Sequence, residues 1–397
     1  MRRVAPVATR PVTRSVPHNA PALPTAAAAR AADFPRRGAI AYNRGMNDLD
    51  ILLPFGLPPP DTARDLIREC RAPALAALLS RTGGRPAMRA VDPFARALAH
   101  ETWLAQRFGL AAAGADNSPP AAAAAMHALH LPAADGHWFL LHPTHIHIAR
   151  DHLVLTDMRQ LALDPADARA LFDAARPLFE EAGKTLLYGS ADTWFMRADD
   201  WSGLRTATPD AASGRNIDIW MPQGPGERAW RKLQNEVQMH WFTHPLNEQR
   251  EAHGLKPVNS LWLWGGADAD AAPAQAPAHY DAAFNLSGWL QAFGPLAATA
   301  RSGAGAADAI GAPGARGLLL LDALTEPGLT NEWGYWLERI EALERDWFAP
   351  LLAALRGGRL HTVRVILSGQ DRIAEYSASR NTLRKFWIKP NLQRLAA

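Results

Sequence analysis

Four short apolar runs, each stopped by a turn, constrain this chain more than any other feature: DILLPFG at 50–56, VNSLWLWGG at 258–266, GLLLLD at 317–322 and HTVRVILSG at 361–369. Runs of four to eight apolar residues without polar alternation read as strands buried on both faces, the pattern of parallel sheets covered by helices. Helical segments lie between them. Asp164 is an N-cap for a helix with Pro165 at its first position, apolar Leu171, Phe172, Leu178 and Phe179 on one face, and Gly183 as its stop. A long amphipathic helix is predicted from Glu332 to Arg356, ended by Gly357-Gly358. Further strands are predicted at TLLYG, at Trp138 to Ala149 and at His152 to Thr156, the last two separated by a turn at Arg150-Asp151. The alternation argues for an α/β fold with a mostly parallel sheet. In such a sheet ligands bind beyond the carboxyl ends of the strands, which draws attention to Pro54-Phe55-Gly56, Gly265-Gly266, Asp322 and Ser368 to Asp371.

The composition excludes several functions. At 48% hydrophobic and 20% charged residues, 397 residues can build one large or two ordinary soluble domains. No apolar run approaches the roughly 18 residues of a membrane span, so no membrane partner and a cytoplasmic location are expected. The single cysteine, Cys70, cannot form an internal disulfide or a Cys-based zinc cluster, and its helical setting predicts a buried, inert thiol. The net charge of +3 hides an uneven distribution. Residues 1–45 carry eight Arg and only Asp33, a net of +7, so residues 46–397 carry −4. That first segment is rich in Pro and Ala and lacks periodicity; it is expected to be a disordered leader or an over-extended start, with Met46 as the true beginning. An acidic body argues against nucleic-acid binding, and only the tail SRNTLRKFWIKPNLQR interleaves basic and aromatic residues. Of the 14 Trp, several, such as Trp262, Trp264, Trp333, Trp336 and Trp347, lie in elements that read as core.

The segment THPLNEQREAHGLKPVNSLWLWGG, Thr243 to Gly266, resembles the signature of archaeal-type cofactor-independent phosphoglycerate mutases, in which a His-Pro-x-Asn turn leads into an Asn-x-x-Trp-Leu-Trp-Gly strand. DILLPFG and APALAALLSR resemble that family's opening strand and helix, and LERDWFAPLLAAL and VRVILSG its closing ones. The chain is similar, more closely still, to a group of Rpf-type regulatory proteins that share DWFAPLLAAL and an end like LRKFWIKP. The resemblance implies an alkaline phosphatase-like three-layer core over residues 46–110 and 259–397, with a smaller α+β lobe inserted at 111–258.

It also implies a chemistry that the residues here do not supply. The family holds two divalent metals with Asp and His and passes a phosphoryl group through a Ser or Thr nucleophile. Its opening strand ends in a metal-binding Asp-Gly, where this chain has Phe55-Gly56. The nucleophile falls between Val91 and Leu110, where this chain has no serine and offers only Thr102. The remaining ligand segments read AGAADAIG, TEPGLTNEW and SGQDRIA, leaving Asp308, Glu326 and Asp371 as isolated acids; beyond Lys256 the only histidines are His279 and His361.

The expectation is therefore a non-catalytic, regulatory relative with an unknown protein partner and no cofactor, able to bind a small phosphorylated ligand. The alternative is a manganese- or zinc-dependent mutase or phosphatase with a rebuilt site. Candidate anion-binding residues in the lobe are Arg150, Arg197, Arg205, Arg215, His244 and Asn247, each arginine competing with the plain reading of a solvated surface charge. HPTHIHIARDH supplies His142, His145, His147 and His152; on a strand His145 and His147 point to one face and can reach one metal, but no nearby acid completes a metal motif, so structural or surface histidines are the expected reading.

Overall fold

The computed structural model describes residues 45–110, 116–132, 135–271 and 280–396. The leader expected over 1–45, apart from Gly45, lies outside the described residues, as does His279. In chain order the strands are β1 (Asp48–Leu53), β2 (Ala87–Ala90), β3 (His137–Thr144), β4 (Ile146–Ala149), β5 (His152–Leu155), β6 (Thr185–Tyr188), β7 (Trp194–Arg197), β8 (Ser260–Asp268), β9 (Ala282–Phe284), β10 (Ala300–Arg301), β11 (Arg316–Leu320), β12 (Thr362–Ser368) and β13 (Arg372–Ser379).

A seven-stranded sheet runs in the order β10-β9-β11-β1-β12-β13-β2. From β10 to β12 the pairing is parallel; β13 and β2 add antiparallel edge strands. The expected mostly parallel α/β sheet is present, and its three layers follow from the period of two along each strand. On β1, Leu49, Ile51 and Leu53 face one core, with Leu75, Leu78, Leu351 and Leu355 of the helices Pro73–Ser80 and Ala349–Arg356. Leu52 faces the other, with Trp103, Leu104 and Phe108 from the helix Ala99–Arg107 and its end, and with Phe293. On β11, Leu319 and Leu318 divide in the same way.

A second, four-stranded antiparallel sheet has the order β6-β7-β3-β8. Here the structure corrects a sequence expectation. The strand SLWLW does not join the parallel sheet; it pairs antiparallel with β3. It is apolar on both sides because Leu261 and Leu263 pack under the helices Pro165–Glu181 and Glu227–Phe242, while Trp262 and Trp264 pack into the core shared with the large sheet. Gly265 takes φ +70, and a Cβ there would lie 2.9 Å from the Leu140 side chain, so the bend after Trp264 requires glycine.

Two further boundaries differ from expectation. The strand predicted from Trp138 to Ala149 breaks at His145 into β3 and β4, because the Asn259 side chain takes up both backbone groups of Ile146, bonding its N and its O at 2.8 Å each. The predicted helix 332–356 contains a π turn at Glu344–Phe348. That turn presents the buried Glu344 carboxylate to the backbone N–H groups of Ala74 and Leu75, at 2.6 and 3.0 Å, capping the neighbouring helix Pro73–Ser80. The helix Pro165–Glu181 starts and stops as predicted, with Asp164 accepting from Ala166 N at 2.8 Å and Gly183 at φ +68. Cys70 is buried, and burial pushes its thiol up to about 12, which leaves it protonated and inert.

Candidate functional site

The carboxyl ends of β1, β11 and β12 carry Phe55, Asp322 and Ser368. Phe55 adopts a left-handed conformation, φ +54, which costs a bulky residue energy and persists only where packing enforces it. Its carbonyl accepts from Trp336 Nε1 at 2.9 Å and only 4% of the residue is exposed. Its ring lies so close to Gly328 that a Cβ there would sit 2.5 Å away, and the His100 ring meets it edge-on at 6.2 Å. The carboxyl end of β1 is thus sealed by a phenyl group, which has no lone pair to donate to a cation.

Behind it lies a polar network, buried at Ser368, His100, Glu101, Asp157 and Thr208 and open to solvent at Arg159 and Asp322. Ser368 Oγ and His100 Nδ1 are 3.2 Å apart, both out of solvent. Glu101 accepts from Leu98 N at 2.7 Å, Thr208 Oγ1 at 2.6 Å and Trp289 Nε1 at 3.2 Å. Arg159 forms a fork on Asp210, with contacts of 3.0 to 3.4 Å, and reaches Asp157 Oδ1 at 3.2 Å. Asp322 accepts a short hydrogen bond from Ser287 Oγ. Glu101 bonds Leu98, Thr208 and Trp289 and orients neither ring nitrogen of His100, so the Ser368–His100 pair has no third group from Glu101 behind it.

Burial and the nearby Arg159 charge push His100 from 6.5 down to about 3, so it is neutral. Burial, then the Asp210 carboxylate, pushes Glu101 from 4.5 up to about 8, against its three hydrogen bonds. The two neighbours therefore act on stability with opposite signs. Between about pH 3 and 6.5 the unfolded chain binds the His100 proton and the folded chain does not, so stability rises with pH. Between about 4.5 and 8 the folded chain holds the Glu101 proton and the unfolded chain does not, so stability falls as pH rises. Each slope is at most about 1.4 kcal/mol per pH unit, and in the overlap the two cancel. His100→Gln is expected to flatten the acid limb of a stability–pH curve from urea denaturation, and Glu101→Gln the alkaline limb. Parallel curves for variant and parent would contradict the assignment.

The residues singled out from the sequence are dispersed. Thr102 lies on the helix Ala99–Arg107, beside a cavity of about 290 Å³ whose lining includes no histidine or carboxylate. Asp308 caps its own helix by accepting from Gly305 N at 2.8 Å, Asp371 pairs with Arg372 at 2.9 Å, and Glu326 sits in the first turn of the helix Thr325–Thr330. Among the described residues no group of three His, Cys, Asp or Glu side chains can hold a metal ion, so the donor set does not fit a two-metal centre.

Three of the four arginines are engaged by other groups. Arg197 is held between Asp135 and Asp199, Arg205 reaches Asp116 at 3.4 Å, and Arg215 donates to Pro93 O at 3.0 Å and lies over the Trp220 ring. Arg150 is at the turn between β4 and β5, with φ +58. His244 caps the helix Pro245–Ala252 through Nδ1, and Asn247 bonds Trp241 O, Val258 O and Val258 N, clasping the turn to the segment that enters β8. The four histidines do not converge on one point. His142 is buried in the antiparallel sheet and His152 pairs with Asp151. Only His145 and His147 meet, with stacked rings 5.9 Å apart, their Nδ1 atoms on Pro257 O and Thr156 Oγ1. Sequence reading missed His100, Glu101, Asp157, Arg159, Thr208 and Asp210; only His100 and Glu101 leave a local signal, as adjacent ionisable residues just before the apolar Trp103-Leu104-Ala105.

No protein-family profile matches the chain. It is 34% identical over 67 residues to a probable 2,3-bisphosphoglycerate-independent phosphoglycerate mutase of Geobacter sulfurreducens, and 31% identical over 65 residues to the 2,3-bisphosphoglycerate-independent phosphoglycerate mutase of Methanothrix thermoacetophila. These matches span 17% and 16% of this chain and 17% of each relative, about a sixth of their length. The solved structure of PH0037 protein from Pyrococcus horikoshii superposes with a TM-score of 0.53 at 13% identity, covering 89% of this chain and 92% of that one, which shows a common fold.

Proposed function

We propose that this chain, which has the phosphoglycerate mutase-like fold of the alkaline phosphatase type, is a non-catalytic relative acting as a regulatory, protein-interacting module. One observation carries the reading: the strand end that would hold a metal ligand holds Phe55 instead, sealed over Gly328. The polar groups behind it satisfy one another, with Glu101 bonded three times and Arg159 spent on two aspartates. A pocket built for phosphoryl transfer would present those groups to substrate. Apolar side chains that stay exposed, Ile148, Met239 and Phe242, support a surface for binding.

Binding of a small phosphorylated ligand has less support, since Arg159 would have to leave Asp210. The rival reading, a manganese- or zinc-dependent mutase or phosphatase, needs Asp308, Glu326 and Asp371 to meet, and Asp308 and Asp371 are each engaged in their own segment. The deciding measurement is metal content after incubation of the purified chain with manganese and zinc and removal of loose ions, with an assay of phosphoglycerate interconversion beside it. The expected outcome is well under one ion per chain and no turnover. Two tightly held ions with measurable turnover would overturn the proposal. A single ion lost on His147→Ala would instead assign a one-metal site to the His145–His147 pair.

A further inference from the structure

The C-terminal segment of the described chain holds two large aromatic side chains in solvent. Phe386 is 82% exposed and Trp387 69%, side by side on one turn, their rings 5.2 Å apart and nearly perpendicular. This is no frayed end. Leu383 before the turn and Leu392 and Leu395 after it are buried in the core, and Arg81 donates to Leu383 O and Ile388 O at 3.4 and 3.2 Å. Lys385 Nζ reaches Thr82 O at 2.8 Å, and Ser80 and Asn391 bond each other at 3.0 Å. The fold therefore holds the turn at both ends and keeps its two most apolar side chains outward.

The surroundings are cationic. Residues 380–397 contain five Lys and Arg and no acid; taking that +5 from the −4 of residues 46–397 leaves −9 for residues 46–379. Arg380 lies beside Gly358, 3.4 Å from where a Cβ would be, at the end of the helix Ala349–Arg356. Arg356, Arg359, Arg380, Arg384 and Lys389 are exposed, and none pairs with a carboxylate among the described residues. Exposed arginines without a carboxylate occur elsewhere too, among them Arg64, Arg71, Arg85 and Arg228, so the mark of the tail is five Lys and Arg without one acid, beside two exposed rings.

We infer that this turn docks the protein peripherally on a bilayer carrying anionic lipids, Phe386 and Trp387 entering the headgroup region and the surrounding arginines and lysines meeting the acidic headgroups. Aromatic rings favour the membrane interface, and unpaired basic residues beside them add attraction to an anionic surface; the two signals together give stable, reversible attachment where either alone is weak. Single-stranded nucleic acid fits less well, because a stacking platform lays ring faces along a basic groove, whereas these rings stand perpendicular on a protruding turn. The inference departs from the expectation of no membrane partner, which rested on the lack of a span. No helix of the described residues is long and apolar enough to cross a membrane, and none is needed.

The test is co-sedimentation of the full chain with vesicles of phosphatidylcholine alone and with about a third phosphatidylserine. Binding is expected only with the anionic lipid and is expected to weaken as salt is raised. The double variant Phe386→Ser/Trp387→Ser is expected to lose at least about ten-fold in partitioning, and Arg380→Gln and Arg384→Gln about five-fold each. All four side chains are exposed, so an unchanged circular dichroism spectrum separates lost docking from lost fold. No binding to the anionic vesicles, binding unchanged in the double variant, or tighter binding to a poly-dT oligonucleotide than to vesicles would each overturn the inference. None of these outcomes bears on metal content, so the proposed function stands or falls separately.

Discussion

Phe55→Asp is expected to give a protein less stable by at least about 3 kcal/mol that still retains neither manganese nor zinc. The loss has two parts. Removing a buried phenyl group from a packed site costs about 3–5 kcal/mol, and the carboxylate that replaces it enters a nearly solvent-free position with no cation beside it. One term opposes them: aspartate tolerates a left-handed backbone better than phenylalanine, an offset of about 1 kcal/mol at φ +54. The metal half follows from the donors. A two-metal centre needs several carboxylates and imidazoles converging, and one restored Asp supplies a single ligand while Asp322 remains on Ser287 and Asp371 on Arg372. The measurements are the urea midpoint and the metal content of the same preparation. A variant as stable as its parent, or one that takes up two ions per chain, would show that Phe55 occupies an otherwise intact site.

Much of the large sheet was legible because its strands obey one rule. β1, β11 and β12 are apolar on both faces since helices cover both faces of a parallel sheet, and the sequence runs reproduce that directly. The same rule misassigned β8. Its run is equally apolar for a different reason: one face lies under the lobe's helices and the other against the main core, so an antiparallel strand between two cores imitates a parallel one. Local pattern cannot distinguish the two, because both put apolar atoms on both sides. The break at His145 depends on Asn259, 113 residues on in sequence from Ile146, and the π turn at Glu344 serves a helix some 270 residues away; such long-range demands leave no periodic trace.

The candidate site was legible as an absence and illegible as a network. Phe55 stood out because the resemblance set an expectation for that position. His100 and Glu101 did not, because their partners Ser368, Thr208 and Trp289 come from three distant segments. The tail offered the reverse case: its basic and aromatic letters were plain, but only the structure distinguishes an anchored turn with two exposed rings from a core segment.

Asp50→Ala is the second large effect, expected at about 3 kcal/mol of lost stability. Asp50 lies in β1, the central strand between β11 and β12, and is buried. Its carboxylate accepts from Tyr280 Oη at 2.8 Å, Arg316 at 2.8 Å and Arg364 at 3.1 Å, so β1 is tied to both of its neighbours, β11 and β12, by side chains as well as by backbone ladders. Arg316 also lies over the Tyr280 ring. Removing the carboxylate leaves two guanidinium groups facing each other and a buried tyrosine hydroxyl without its acceptor, which raises the cost of truncation above that of one hydrogen bond. Both arginines remain about 30% exposed, so water recovers part of the loss and keeps the figure at the low end for a broken buried pair. Arg364→Met is expected to cost less, because it leaves the carboxylate with Arg316 and Tyr280. Urea denaturation of the two variants checks the order: a loss for Asp50→Ala no greater than for Arg364→Met would mean that the carboxylate is not the hub through which the central strands are held in register.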